Sequence, residues 1–266
     1  MVRLNSDISK LDTRVKIFYY DNNIDSLIDF FQNQKFDGII HLASLFLASH
    51  TKNDIENLLS SNVKFGTELL EVSKISNVKW FINTGTFWQN FENKDYNPVN
   101  LYAATKEAFE IMARYYTQTS DLIFTTIKLN DTFGKNDTRN KVFNLWNKIA
   151  ISGEVLEMSA GEQIIDISYI EDVISAYELL INHLNSDKKD EFQSKTYVVT
   201  SSEQMSLKEL SKVFEEATNT KLNIIWGGRE YRDREVLVPY NQGEIVPSWK
   251  QKFTLKEAIQ ETIGEK

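Results

Sequence analysis

An α/β fold built on a parallel sheet is what the sequence predicts, and two observations predict it. Apolar runs of strand length alternate with amphipathic helical stretches from residue 14 to residue 130, and one run, "FDGIIHLAS" at 36–44, is apolar almost without a break. A strand covered by helices on both faces requires such a run, whereas a strand wetted on one side alternates. The elements follow in order. "RVKIFYYD" (14–21) reads as a strand, "NIDSLIDFFQNQ" (23–34) as an amphipathic helix, 36–44 as the buried strand, and 51–76 as a long helical region. "VKWFINTGT" (78–86) is the next strand; a loop reaching Pro98 leads to the helix "NLYAATKEAFEIMARYY" (100–116), followed by the strand "LIFTTIKLN" (122–130). The remainder is more mixed: helix 141–151, a short strand near 155–159, a strand-to-helix passage at 164–184, strand 196–200, helix 206–217, strand 221–226 and a last helix near 254–263. The polar stretch 185–194, "NSDKKDEFQS", reads as a solvated linker.

Composition narrows the function classes. A chain of 266 residues with 41% hydrophobic content can bury a sizeable core. Thirty basic against 38 acidic residues leave a net charge of −8 without a Lys/Arg cluster, which argues against nucleic acid or an acidic membrane surface as a partner. The absence of cysteine excludes disulfides, thiolate zinc sites and cysteine nucleophiles, and His41, His50 and His183 are too scattered to suggest a metal centre. The longest apolar run, "GIIHLASLFLA", falls short of the roughly 20 residues needed to span a bilayer, and the first 11 residues lack the apolar segment of a signal peptide. The cytoplasm is the expected location.

Tyr102 and Lys106 lie four apart at the start of a helix and so share one face. A phenol with a solution pKa of about 10 is a poor proton donor at neutral pH, and a cation one turn away favours its ionised form. The same spacing also arises by chance in many helices, so the pair gains meaning only from its surroundings.

Those surroundings resemble the extended short-chain dehydrogenase/reductase family, the NAD-dependent epimerases and dehydratases of nucleotide sugars. Six stretches match in order: "HLAS" (41–44), Asn62 with Gly66, Thr67 and "ELLE", the strand "FINTGTFWQ", the Tyr102 and Lys106 pair, "LNDTFG" (129–134), and "IDISYIEDV" (165–173), with "PSWKQKFTLKEAIQETI" near the end. The resemblance implies a Rossmann-like doubly wound parallel sheet with a smaller mixed α/β substrate-binding lobe. Residues 1–130 would form the dinucleotide-binding core and 131–266 mainly the lobe, with 164–184 returning to the core. It also implies that Tyr102 is the acid/base, that Lys106 lowers its pKa and binds the nicotinamide ribose, and that a strand-end hydroxyl completes the site. Counting back from "WQ" gives Thr84 for that hydroxyl, with Thr86 the alternative. Related dehydratases follow this threonine with Asp-Glu, and Gly85 and Thr86 stand there instead, which disfavours 4,6-dehydration and leaves reduction, or epimerisation at the sugar C4 or C2, with C4 the expected carbon. The wording of these motifs is most similar to the CDP-abequose and CDP-paratose synthase group, which implies a nucleotide-diphosphate sugar as substrate and a place in deoxysugar or surface-polysaccharide biosynthesis.

The family's glycine-rich turn, G-x-x-G-x-x-G, has no counterpart, and Gly38 is the sole glycine before Gly66. "MVRLNSDISKL" resembles the end of the family's second strand, so the chain reads as starting about 30 residues late, without a first strand, turn and helix. Two expectations follow: dependence on a homodimer partner or on a separate piece that supplies the segment, or a remnant or interaction module that no longer binds cofactor. The remaining cofactor contacts implied are Arg3, placed to meet an NADP(H) 2′-phosphate although NAD(H) stays open; Asp21 and Asn22, toward the adenine; and Leu42, Ala43 and Ser44, toward the nicotinamide. On the substrate side the resemblance points to Asp131, to Arg139 and Lys141 in a loop suited to a diphosphate, and to Arg232 within the Arg group 229, 232 and 234. Trp146, Trp226 and Trp249 read as core packing.

Overall fold

The structure, a computed structural model, is described over residues 1–3, 7–9 and 11–263. β1 (Val2–Arg3) and β2 (Tyr19–Tyr20) pair in parallel as a small sheet of their own. The strand expected over 14–21 shrinks to these two residues of β2 because Asp12 folds the approach into a turn. Its carboxylate accepts from the Arg14 amide at 2.9 Å and from the Arg14 guanidinium at 2.6 Å. α1 (Ile24–Gln34) is capped by Asn23, whose side chain accepts from the Asp25 amide at 2.9 Å, and it ends at Lys35 in the left-handed conformation, φ 54°. β3 (Gly38–His41) follows, its glycine flat against the indole of Trp80, where a Cβ would meet ring atoms at 2.1 Å.

The helical region expected over 51–76 is not one helix. A 3₁₀ turn at Lys52–Asp54 leads into α2 (Ile55–Leu59), a π turn at Ser60–Lys64 widens the coil, and α3 (Phe65–Ile75) completes it. The widened turn buries the Asn62 side chain, which hydrogen-bonds outside the helix, a use to which single π turns are commonly put. Then come β4 (Trp80–Thr86), α4 (Leu101–Thr119) and β5 (Ile123–Leu129). The second half contains β6 (Asp131–Phe133), α5 (Val142–Ser152), β7 (Leu156–Met158), β8 (Ile164–Ile165), β9 (Ile167–Tyr169) and α6 (Ile170–Leu184). It continues with β10 (Thr196–Val199), β11 (Met205–Ser206), α7 (Leu207–Thr218), β12 (Ile224–Trp226), β13 (Glu244–Ile245) and α8 (Leu255–Ile263).

Five strands form the main sheet in the order β13-β10-β5-β4-β3, all parallel, with β3 at its edge. On one face α6 lays Val173, Ala176, Tyr177 and Leu180 over Trp80, Ile82 and Ile127. On the other, α1, α3 and α4 pack Phe31, Leu70 and Phe109 against Phe81 and Phe124. A separate core joins Trp146 and Phe143 of α5 to Phe214 of α7 and Ile259 of α8, beside the short pairs β7 with β12 and β6 with β9. The stretch expected to be a solvated linker is exposed at 185–188 but tied down at its end. Phe192 is buried in the α6 cluster, and the Gln193 side chain accepts from the Phe124 amide at 2.8 Å.

Two stability predictions follow from the α4 face. A Cβ on Gly66 would sit 2.5 Å from Phe109 Cε2, so Gly66→Ala forces a fully buried ring to move, and overpacking of this type costs about 1–3 kcal/mol. Urea unfolding should show that loss, with part of it recovered when Phe109→Leu is added; a wild-type midpoint for Gly66→Ala would contradict it. His41, 2% exposed among Phe65, Phe81 and Phe109, is pushed by burial, and secondarily by Lys106, down to about 3. The unfolded chain takes up a proton near 6.5 and the folded one near 3, so this residue removes stability as pH falls through that window, by up to about 1.4 kcal/mol per pH unit. His41→Phe should flatten the dependence of the melting temperature on pH between those values, and an unchanged slope would refute the assignment.

Candidate active site

α4 begins at a strong cap. Asn100 accepts from the Ala103 amide at 3.0 Å, and its own amide donates to the carbonyl of Ala48 at 3.0 Å, which fastens the chain after β3 to the start of the helix. A second clamp is the buried Asn62. It accepts from the Leu45 amide at 2.7 Å and the Ser44 hydroxyl at 3.1 Å, and donates to the Leu45 carbonyl at 3.0 Å and to Thr105 Oγ1 at 2.9 Å. Thr105 in turn donates to the Tyr102 carbonyl at 2.7 Å. Together the clamps hold the chain after β3 and the first turns of α4 at one place, the end of a parallel sheet where ligands bind.

Tyr102 stands there, half-buried, its ring edge-on to Phe46 at 5.0 Å. Burial raises its phenol above the ordinary tyrosine value, and the neighbouring Ser44 and Thr86 hydroxyls pull it back. The sequence expectation that Lys106 depresses Tyr102 is therefore not what the resting site shows; desolvation dominates and the opposing pull comes from the two hydroxyls. Lys106 is 2% exposed, and burial lowers its ammonium to about 8 against the favourable charge of Glu110. Of the two threonines, Thr86 caps the turn Phe87–Gln89 and meets Tyr102, while Thr84 Oγ1 lies 2.6 Å from the Tyr177 hydroxyl of α6.

The other expected residues divide. Leu42, Ala43 and Ser44 follow β3 and are all exposed, Leu42 at 62%, and Ser44 joins Tyr102. Asp21 and Asn22 form the turn after β2, where Asp21 accepts from Ser26 Oγ at 2.7 Å and the Asn23 amide at 3.1 Å, and these bonds hold its carboxyl below the usual range. The Arg3 backbone pairs with Tyr20, and its side chain lies outside the described residues.

Beside Tyr102 opens a cleft of about 860 Å³ whose walls include Phe46, Trp88, Asp131, Arg139 and Lys141, with Arg229, Arg232 and Arg234 from the opposite side. Two of the cations expected for a diphosphate are already paired: Lys141 donates to Asp131 at 2.6 Å, and Arg139 grips Asp137 at 2.6 and 2.8 Å. Arg234 reaches across to Asn97 at 2.6 Å and lies over the Phe91 ring at 4.3 Å. Arg232 remains on the wall, its backbone amide bonded to Glu235 at 3.2 Å. Trp146 and Trp249 are buried core and Trp226 covers Gly161, as the sequence suggests.

Several residues escaped the sequence reading. Gln89 is fully buried; its side chain accepts from the Thr86 amide at 2.9 Å and donates to Glu107 at 2.9 Å and Glu110 at 3.0 Å. Lys128 of β5, also buried, donates to Asn90 at 2.7 Å. The polar periodicity of α4 (Tyr102, Lys106, Glu110) was a usable signal for Glu110. Nothing in the sequence pointed to Lys128, whose neighbours are apolar. Among the described residues no group of three His, Cys, Asp or Glu side chains could hold a metal ion, and no helix is long and apolar enough to cross a membrane.

Chemistry of this kind has counterparts in known proteins. Over 94% of its length the chain is 28% identical to CDP-abequose synthase of Yersinia pseudotuberculosis, covering 82% of that protein, and it is 28% identical to the Salmonella typhimurium enzyme of the same name, covering 75% of it. Its fold is similar to a UDP-glucose 4-epimerase from Thermotoga maritima solved with UDP-glucose, TM-score 0.81 at 17% identity over 99% of this chain and 88% of that one. A UDP-glucuronic acid 4-epimerase from Bacillus cereus, in complex with UDP-glucuronic acid and NAD, aligns with a TM-score of 0.82 at 17% identity over 96% of this chain and 82% of that one. With residues 5–199 matching the family directly, the chain belongs to the NAD dependent epimerase/dehydratase family.

Proposed function

We propose that the protein acts on the C4 carbon of a nucleotide-diphosphate sugar as a ketoreductase or epimerase that uses NADP(H) or NAD(H). The observation that carries this reading is the grouping of the Tyr102 hydroxyl with Ser44 and Thr86, one helical turn from the buried Lys106, with Phe46 packed between Tyr102 and a cleft lined by Arg229, Arg232 and Arg234. The exposed Leu42 and Ala43 beside Ser44 suit the nicotinamide end of a dinucleotide. When bound, that cofactor supplies or accepts the hydride. The residues of this chain handle the proton: as the C4 carbonyl oxygen takes on negative charge, Tyr102 donates its phenolic proton to it, and the Thr86 hydroxyl, whose own proton is uncommitted, steadies the phenolate left behind. Lys106, as an ammonium, offsets the same charge. The arginine wall suits the diphosphate. Residues 1–130 serve the dinucleotide and 131–266 mainly the sugar nucleotide, with the segment 164–184 packed back on the main sheet and β10 and β13 completing that sheet.

The phosphates of the cofactor call for more than this face offers. β3 is an edge strand with Ile40 39% and Leu42 62% exposed, and no glycine-rich turn adjoins it among the described residues. We propose that a strand ending in such a turn, supplied by a separate piece of chain, lies along β3, covers Ile40 and binds the phosphates. A stable remnant without cofactor is the reading that holds in its absence.

Incubation with a nucleotide-4-keto-6-deoxysugar and NADPH should consume NADPH, whereas formation of such a ketosugar from a plain NDP-hexose would refute the proposed reaction. Tyr102→Phe should abolish turnover and leave cofactor affinity within a few-fold; Lys106→Ala should damage both, and equal cofactor affinities in the two variants would contradict these roles. Fusing a strand and G-x-x-G-x-x-G turn of about 30 residues to the amino terminus should raise both the melting temperature and NADPH affinity. A fusion that changes neither would show that the β3 edge takes no strand.

A further inference from the structure

The inner face of α4 continues past the reacting pair. Tyr102, Lys106 and Glu110 follow one another at single-turn intervals, and the third of these is a carboxylate turned inward beneath the end of β4. Its Oε1 accepts from Gln89 Nε2 at 3.0 Å and, at the limit of a hydrogen bond, from Asn83 Nδ2 at 3.4 Å. The other end of the same Gln89 amide accepts from the Thr86 backbone amide at 2.9 Å. A short relay thus runs from the carboxylate to the peptide of the threonine whose hydroxyl meets Tyr102. The backbone makes room for it at Gly85, where a Cβ would come within 2.8 Å of Gln89 Oε1 and 2.9 Å of Lys128 Cγ.

The charges around this carboxylate define its role. Lys106 and Glu107 face it from α4 and Lys128 from β5, while Lys106 itself is faced on its other side by the neutral His41 of β3. Burial disfavours the charged forms of both Lys106 and Glu110, and each favours the charge of the other. An ammonium 2% exposed with no counter-charge would shed its proton, and the carboxylate one turn on opposes that.

We propose that Glu110 is a positioning residue for this site. It keeps Lys106 in its ammonium form and, through Gln89, fixes the Thr86 peptide so that the threonine hydroxyl stays on Tyr102. The inference rests on the reading of Tyr102 and Lys106 as the reacting pair, and it is testable in the resting protein without any turnover.

Lysine labelled with ¹³C and ¹⁵N, the Lys106 signal identified by its absence in Lys106→Met, gives the titration midpoint of that ammonium directly. Glu110→Gln removes the charge and keeps an oxygen for Gln89, and it should lower the Lys106 midpoint by about 1 pH unit while Thr86 amide exchange stays slow. Glu110→Leu removes both, and should lower the midpoint equally while Thr86 exchange rises about tenfold or more. Should the leucine variant not fold, Glu110→Gln decides alone: a Lys106 midpoint unmoved in that variant overturns the proposal. In turnover, the alkaline limb of kcat/KM should move down by the same amount in Glu110→Gln, with KM for the sugar nucleotide unchanged. A midpoint that falls while wild-type protein oxidises no NADPH on a nucleotide-4-ketosugar would leave the coupling standing and overturn the reaction instead.

Discussion

A lysine ammonium held out of water constrains the middle of this molecule. Lys106 has 2% of its surface exposed, and an ion in that position costs several kcal/mol unless other groups answer its charge. The answer comes from Glu110 on its own helix, a carboxylate that Gln89 after β4 holds in place. Because Lys128 adds a second buried cation to the same region, the acidic side must be supplied by both Glu107 and Glu110, and Gln89 donates to each of them. His41 stays neutral on the remaining side. A small polar core has formed where an α/β protein ordinarily packs aliphatic side chains.

That core explains how β4 and β5 change character along their length. Toward their amino ends they present Phe81 and Phe124 to α4, rings stacked at 5.5 Å. Toward their carboxyl ends the same face carries Asn83, Gly85, Thr126 and Lys128, with Asn83 donating to Thr126 at 3.2 Å. The opposite face, under α6, stays apolar through Trp80, Ile82 and Ile127. Apolar packing fixes the strands at one end and hydrogen bonds orient side chains at the other, which is where the phenol, the hydroxyls and the cleft converge.

How much of this could be read from the residues depended on how local the cause was. The parallel sheet was legible from continuous apolar runs such as 36–44, although β3 lies at the sheet edge with Ile40 39% exposed and not buried on both faces as that run suggests, and α4 was legible from its Asn100 cap and its periodicity. The interruption at 60–64 was not, because its cause is a hydrogen bond from Asn62 to Thr105, 43 residues away. Spacing likewise pointed to Thr84 ahead of Thr86, whereas Thr86 is the one that neighbours Tyr102. Tyr177, which engages Thr84, arrives on a helix 93 residues later. Arg139 read as free for a ligand, but Asp137, two residues before it, occupies its guanidinium in a turn whose geometry no pattern of charges reveals. Pattern and capping thus delivered the scaffold and the Tyr102–Lys106 pair, while pairings across the sheet decided what each side chain does.

The position of β10 has a kinetic side. It pairs with β5, yet the chain between them carries the lobe that holds Arg139, Trp146 and the cleft wall, and the Thr125 hydroxyl reaches the Lys195 carbonyl at 3.0 Å across 70 residues of sequence. Closing a loop of that length is entropically unfavourable before any ladder bond forms to offset it. β3, β4 and β5 come from one continuous stretch and can assemble early; β10 and β13 can join only after the intervening chain has emerged and folded. During synthesis the flank of β5 therefore stays open for as long as the lobe is being made, and the step that seals it is also the one that brings the lobe to rest against the sheet.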